Sequence, residues 1–260
     1  MNSGPSARPG DYTAWLLDPV EPTAVYAALD AGCGDGRRTA ALRLILPPHA
    51  LVAAVDLDRA AAHGVGSIAG VDAVQGDIAR LPYPDGAFDV VLAGHVLYYP
   101  SDLASWLREI RRVMSPGGLL LAATNSAQSG RRLLDLHVEA CRRAGHEAMA
   151  RRALAASARD RFTLENGADQ LRRVFGDVSV RRRDDPLVFQ SVAQALDVYR
   201  GGLFARGAPD GAREGDLQRL AAALAPHMRD ALAAAADAQG RITIPRHSGC
   251  FAARAERPTG

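Results

Sequence analysis

Apolar runs and helical repeats take turns along the first half of the chain. Val25 to Leu29 is a short apolar run that ends in Asp30 and a glycine cluster. Gly36 to Leu46 follows with helical spacing, and Pro47-Pro48 stops it. Leu51 to Val55 predicts a second buried strand, closed by Asp56. Asp58 to His63 predicts a short helix with Gly64 just past its end. Asp72 to Gln75 and Phe88 to Ala93 predict the third and fourth strands. Between Ser101 and Met114, the residues Leu103, Trp106, Leu107, Ile110 and Val113 share one face of an amphipathic helix, with Ser101 as its cap. Pro116-Gly117-Gly118 breaks the chain before a fifth strand, Leu119 to Ala123. Continuously apolar strands alternating with helices require a parallel sheet covered on both faces. Right-handed crossovers then make it a doubly wound α/β sandwich, whose ligands bind at the carboxyl ends of the strands.

The second half has a different rhythm. Gly130 to Ala158 predicts an arginine-studded helix, and Leu164 to Phe175 another. Val178 to Arg182 and Leu187 to Phe189 read as short strands. Ser191 and Gln194 form a capping-box pattern that opens a helix to about Arg200. Gly211 to Ala238 is long, alanine-rich and helical, and Ile242 to Ala253 has strand character interrupted by Pro245 and Gly249. There is no internal repeat and no long linker. The expected organisation is a disordered tail over residues 1–10 and a single domain over 11–260. That domain divides into a ligand-binding half at 20–126, lid helices at 127–240 and a closing strand at 241–253.

Composition removes whole classes of chemistry. The chain has 260 residues and a formal charge of +2, which gives no bias toward a dedicated nucleic-acid binder. All 31 of its cationic Lys/Arg positions are arginine. Without lysine there is no Schiff-base residue, no P-loop lysine and no kinase-type lysine. Cys33, Cys141 and Cys250 are far apart and form no Cys-x-x-Cys pair. That argues against a disulfide framework and a structural zinc site, and no metal is expected. The polar N-terminus lacks a hydrophobic signal core, and no apolar run approaches the roughly 18 residues that span a bilayer. The expected location is cytoplasmic, with no membrane partner.

The strongest chemical signal is Asp30-Ala31-Gly32-Cys33-Gly34-Asp35-Gly36, between a predicted strand and a predicted helix. Glycines let the backbone turn tightly and let a ligand lie against it. A dinucleotide fingerprint requires Gly-x-Gly-x-x-Gly, but here the third glycine comes one residue early and Arg37 stands in its place. Asp30 and Asp35 flank the turn with negative charge, which repels a pyrophosphate and suits a ligand with a cationic end.

This segment resembles the first motif of the class I S-adenosylmethionine-dependent methyltransferases. Ala54-Val55-Asp56-Leu57-Asp58 is similar to the family's acidic strand end, and Gln75-Gly76-Asp77-Ile78 with Leu81-Pro82-Tyr83-Pro84-Asp85 to its adenine-contacting segment. Phe88-Asp89-Val90-Val91 and the stretch from Leu107 to Gly118 resemble its fourth strand and the helix and turn before its fifth. Gly94-His95-Val96-Leu97-Tyr98-Tyr99 resembles the small-molecule branch. The resemblance covers residues 20–126 in order and spacing. It implies a Rossmann-like, mostly parallel seven-stranded sheet and S-adenosyl-L-methionine as cofactor. It further implies that Gly32, Cys33 and Gly34 offer backbone to the methionine and ribose, and that Asp30 lies near the methionine ammonium. Asp56, with Leu57 beside it, grips the ribose hydroxyls; Asp77 and Ile78 take the adenine; Gly94 lets the sheet edge approach the sulfonium. Tyr12 and Trp15 close over the cofactor, while Tyr98 and Tyr99 are pocket candidates.

His95 follows the fourth strand and is the candidate base. Ala93-Gly94-His95 offers no acid for a catechol-type metal site. The expected reaction is methyl transfer to an oxygen or nitrogen of a small-molecule acceptor in a biosynthetic pathway. Its rivals are an RNA methyltransferase of the same fold, argued from the paired arginines, and a non-enzymatic cofactor-binding protein. The chain carries no signal for an oligomeric state.

Overall fold

The computed structural model describes residues 9–157, 162–201, 205, 208–209 and 211–256. The tail expected over residues 1–10 lies outside the described residues as far as Arg8, but Pro9 and Gly10 already open helix α1 (Pro9–Leu17). Proline suits a first helical position because it has no N–H to leave unpaired. The described residues fall into two compact units: 9–127 with 162–183 and 248–256, and 128–157 with 184–247.

The first unit carries a seven-stranded sheet. Its strands are β1 (Ala27–Ala31), β2 (Leu51–Asp56), β3 (Asp72–Gln75), β4 (Phe88–Gly94), β5 (Met114–Asn125), β6 (Asp177–Asp184) and β9 (His247–Arg254), in the order β3-β2-β1-β4-β5-β9-β6. The intervening β7 (Leu187–Phe189) and β8 (Ile242–Ile244) belong to the second unit. Strands β1 to β5 are parallel and β9 runs antiparallel to β5, so the expected doubly wound, mostly parallel, seven-stranded sheet is the one observed. Strand β1 pairs with β2 on one side and β4 on the other. Chain order reverses at that point, which opens a crevice at the carboxyl ends of the strands.

Alternation along β1 fixes what faces where. Leu29 and Ala31 point into one fully buried cluster with Val55, Val91, Ala93, Ile110 and Leu120. Ala28 points into the opposite cluster, with Leu16 of α1, Leu42 of α2 (Arg37–Ile45), Val52, Leu92 and Leu121. Each fully buried leucine contributes about 1.5–3 kcal/mol. Asp30 has the same parity as Ala28, and this puts a carboxylate on the face that α2 covers.

Several boundaries differ from expectation. Helix α3 (Arg59–Val65) runs through Gly64, because Val65 is buried and Gly66 closes the helix; Asp58 caps it, accepting from the Ala60 N–H at 2.7 Å. Helix α4 (Leu103–Val113) is capped by Asp102, which accepts from Ser105 N–H at 3.0 Å, and not by Ser101. Pro116-Gly117-Gly118 does not break β5. Met114 pairs with Phe88 and Leu119 with Val90, so the triplet is absorbed as an irregularity in register. Gly117 and Gly118 exchange backbone hydrogen bonds of 2.9 Å with Ala255. The helix expected over Leu164 to Phe175 shrinks to α7 (Gly167–Arg172). Ahead of it the Asn166 side chain accepts from Thr163 N–H at 2.8 Å and holds a turn. The closing strand splits at Pro245: β8 pairs with β7, and β9 returns to the sheet.

The second unit packs α5 (Arg131–Arg143), α6 (Glu147–Ser157), α8 (Val192–Arg200) and α9 (Glu214–Ala235) with the β7–β8 hairpin around Leu134, Phe189, Leu196, Tyr199, Leu224, Met228 and Ile242. The helix expected from Gly130 to Ala158 is two helices, broken at Gly145, whose φ of 78° is left-handed. Ser191 caps α8 as expected, accepting from Gln194 N–H at 3.2 Å. The Gln194 side chain reaches back to Gln190 N–H rather than to the cap itself. His137 and Tyr199 share a buried hydrogen bond of 2.8 Å.

Candidate functional site

A cavity of about 510 Å³ opens in the sheet-bearing unit at the carboxyl ends of β1, β2 and β4. Gly32, Gly34, Asp56, Leu57, Asp77, Ile78, Gly94, His95 and Tyr99 border it, so nine of the sequence-predicted residues meet in one hollow. Arg38, Gly76, Val96 and Trp106 complete the wall.

The bend after β1 is tied to the end of β2. Gly32 and Cys33 N–H both donate to the Val55 carbonyl, at 2.8 and 3.1 Å. Gly34 N–H donates to Asp56 Oδ2 at 2.8 Å. Asp56 Oδ1 accepts from Asp58 N–H at 2.9 Å, so the carboxylate is oriented by backbone on both sides. Gly32 has φ 82°, and a Cβ there would meet Val96 Cγ2 at 2.6 Å. Only glycine lets the chain turn this close to the segment after β4.

Asp30 is fully buried and does not border the cavity. Its Oδ2 accepts from the Thr39 hydroxyl at 2.6 Å, and Oδ1 has no partner. Burial pushes its carboxyl up to about 6, against the pull of the Thr39 hydrogen bond and the Arg38 charge. Cys33 turns its side chain into a small cluster with Ala54 and Val65, and burial raises its thiol to about 12. A thiol held there is a packing group, without nucleophilic character.

Asp77 forms its own turn after β3, accepting from Ala79 N–H at 2.8 Å. The loop that follows is held from α4. Glu109 accepts from Leu81 N–H at 2.7 Å, and Arg112 donates to the Tyr83 and Leu81 carbonyls and to Asp85. The loop is thereby fixed by charged groups of a helix whose other face is core.

His95 sits just past β4 with φ 59°, the left-handed region that a side chain rarely occupies. Its N–H donates to the Ala123 carbonyl at 2.9 Å. Its Nε2 shares a hydrogen bond of 2.8 Å with the Tyr12 hydroxyl. Tyr12 in turn lies 5.6 Å, centroid to centroid, from Trp15, and the Arg181 guanidinium rests over Trp15 at 5.2 Å. Tyr12 and Trp15 do not border the cavity; Tyr12 reaches it through His95. Tyr98 packs against the core, whereas Tyr99 is exposed at the rim.

Sequence reasoning missed Arg38 and assigned Trp106 wholly to the apolar face of α4. The signal for Arg38 was present: a second arginine directly after the one that displaces the third fingerprint glycine. No group of three or more metal-ligating side chains exists among the described residues.

Residues 29–122 match the profile of a family described as a methyltransferase domain. Over those residues the chain is similar to that family. A Mycobacterium tuberculosis protein named as a probable S-adenosylmethionine-dependent methyltransferase is 36% identical over 97 residues, which cover 37% of this chain and 34% of that protein. The demethylmenaquinone methyltransferase of Staphylococcus aureus is 33% identical over 103 residues, 38% of this chain and 43% of that protein. The chain thus spans between a third and a half of the length of these curated relatives. The crystal structure of a Bacillus halodurans C-125 protein superposes with a TM-score of 0.61 at 16% identity, covering 95% of this chain and 100% of that one. At that identity the likeness is one of fold.

Proposed function

We propose that this protein transfers a methyl group from S-adenosylmethionine to an oxygen or nitrogen of a small-molecule acceptor in a cytoplasmic biosynthetic reaction. The reading is carried by one observation. A cavity within the size range of small-molecule sites gathers Asp56, Asp77, Ile78, Gly94 and His95 from the ends of separate strands. The cofactor supplies an electrophilic methyl on a sulfonium; this chain supplies the positioning and a base.

The residues fit that cofactor. Each Asp56 oxygen already accepts one backbone N–H and keeps a further lone pair, so the pair can take two ribose hydroxyls. Asp77 retains acceptor capacity for the adenine amino group, and Ile78 packs on the ring. Because the Gly32 and Cys33 amides are committed to Val55, those two positions offer a ligand close approach rather than N–H donors. Asp30 acts from behind the wall, on the methionine ammonium through water and through its field. His95 takes the proton of the acceptor, and Tyr12 is its positioning residue, holding the imidazole plane by the Nε2 bond.

The Staphylococcus aureus relative is named as a demethylmenaquinone methyltransferase, and that name supports the small-molecule reading. The paired arginines that favour RNA are largely engaged: Arg131, Arg142, Arg143 and Arg151 each pair with an acid. Thermal melting with S-adenosylhomocysteine and with NAD tests the cofactor. Stabilisation by the first alone is expected, and stabilisation by NAD alone would refute the reading. Release of S-adenosylhomocysteine with a panel of hydroxylated and amino acceptors tests turnover.

A further inference from the structure

The cavity wall carries one group that neither the sequence motifs nor the reading above uses. Arg38, in the first turn of α2, borders the cavity. Its Nε is buried and has no hydrogen-bond partner, and among the described residues the guanidinium forms no ion pair. The side chain lies flat on Gly94. A Cβ built there would collide with Nε, and would come within 2.7 Å of Cδ and 2.9 Å of Cζ. Glycine at 94 therefore makes room for a guanidinium, not only for a ligand.

A guanidinium stays charged at every working pH and presents its N–H donors in one plane, a geometry matched by a carboxylate. Leaving one of those donors buried and unpaired costs free energy that a ligand acceptor recovers. The charge also has to be answered. Asp56 and Asp77 line the wall that belongs to β2 and β3, whereas Arg38 is the arginine on the Gly94 wall. A cationic sulfonium placed beside it is repelled unless an anion lies between them. Asp30, the nearby buried acid, has one oxygen on Thr39 and the other unpaired. It offsets the charge at a distance and leaves the Nε donor unmet.

We propose that Arg38 is the anion receptor of this cavity and binds a carboxylate against the Gly94 wall. The inference rests on the reading of this hollow as the cofactor site. The carboxylate has two sources, the amino-acid end of the cofactor or an acid group on the acceptor.

Calorimetric titration of the full chain separates them, using native protein, Arg38→Gln and Arg38→Lys. The ligands are S-adenosylhomocysteine, which has the amino-acid end, and 5′-methylthioadenosine, which lacks it. Benzoate, with benzamide as its neutral counterpart, is added to protein saturated with S-adenosylhomocysteine. If the cofactor supplies the anion, Arg38→Gln weakens S-adenosylhomocysteine at least tenfold and leaves methylthioadenosine within twofold, with Arg38→Lys between. If the acceptor supplies it, both nucleosides bind Arg38→Gln normally, while native protein binds benzoate over benzamide and Arg38→Gln does not. Normal binding of all ligands by Arg38→Gln overturns the proposal. So does tighter binding of S-adenosylhomocysteine, which would make the guanidinium a plug. Native protein that binds neither nucleoside overturns the cofactor reading instead, and Arg38 is then judged on benzoate against benzamide alone.

Discussion

Asp56 is the residue on which the cofactor assignment can be tested most sharply. Its two oxygens are each anchored by one backbone N–H, from Gly34 at 2.8 Å and from Asp58 at 2.9 Å. Both anchors belong to the protein's own backbone, so the carboxylate is pre-oriented and a ribose meets it with little reorganisation. Asp56→Ala removes the acceptors and the charge together. A hydrogen bond to a charged group contributes about 1.5–3 kcal/mol. One such loss corresponds to a roughly 10- to 150-fold weaker Kd, since each 1.4 kcal/mol is about tenfold. Asp56→Asn is the stricter variant. Its volume is unchanged, but one oxygen becomes an NH2 that cannot accept. Whichever way the amide turns, either Gly34 N–H, Asp58 N–H or a ribose hydroxyl faces a donor. It is therefore expected to weaken S-adenosylhomocysteine nearly as much as alanine does. Isothermal titration calorimetry gives the affinities, and circular dichroism melting of the unliganded proteins checks that the bend survives. Affinities within twofold of native for both variants, in folded protein, would refute the ribose assignment and the argument from oriented lone pairs.

Asp30 makes a pH prediction with a definite sign. Its folded value of about 6 lies above the ordinary 3.8 because burial disfavours the carboxylate. The folded state thus holds the proton more tightly than the unfolded chain. The contribution to stability is full below about pH 4 and is lost as pH rises through about 6, about 3 kcal/mol in all. Asp30→Asn keeps an acceptor for Thr39 and has no charge to bury, so in calorimetry it should melt above native at pH 8 and level with it at pH 4. A lower melting temperature than native at pH 8 would contradict the burial argument. His95→Ala should leave S-adenosylhomocysteine affinity within twofold and lower kcat by about 10²–10⁴. Tyr12→Phe should keep KM and lower kcat, because the imidazole loses the bond that holds its plane; an unchanged rate in His95→Ala would reduce the histidine to a wall.

The cofactor half was legible because its information is local. Asp30 to Gly36 needs a tight, side-chain-free turn directly after a buried strand, and residues 29–122 match a methyltransferase domain as the motifs implied. Strand β3 falls on the residues that its pattern marks, Asp72 to Gln75. Errors cluster where partners distant in sequence decide the outcome. Pro116-Gly117-Gly118 has every local sign of a break, yet Ala255, far along the chain, pairs with Gly117 and Gly118 and holds β5 together. Pro245 divides one apolar stretch between two sheets, because β8 finds β7 and β9 finds β5.

What the sequence determined by itself is the order of strands and helices around the glycine bend, and the acids that end β1 and β2. Those follow from residue spacing, which acts over a few residues. Tertiary structure alone decided which of those groups share a space. It set Asp30 behind the wall beside Thr39, turned Cys33 into the core, and laid Arg38 on Gly94. It also brought Tyr12 to His95 across 83 positions of chain. Contacts of that kind depend on how α1 and α2 pack across the sheet, and no local pattern records it.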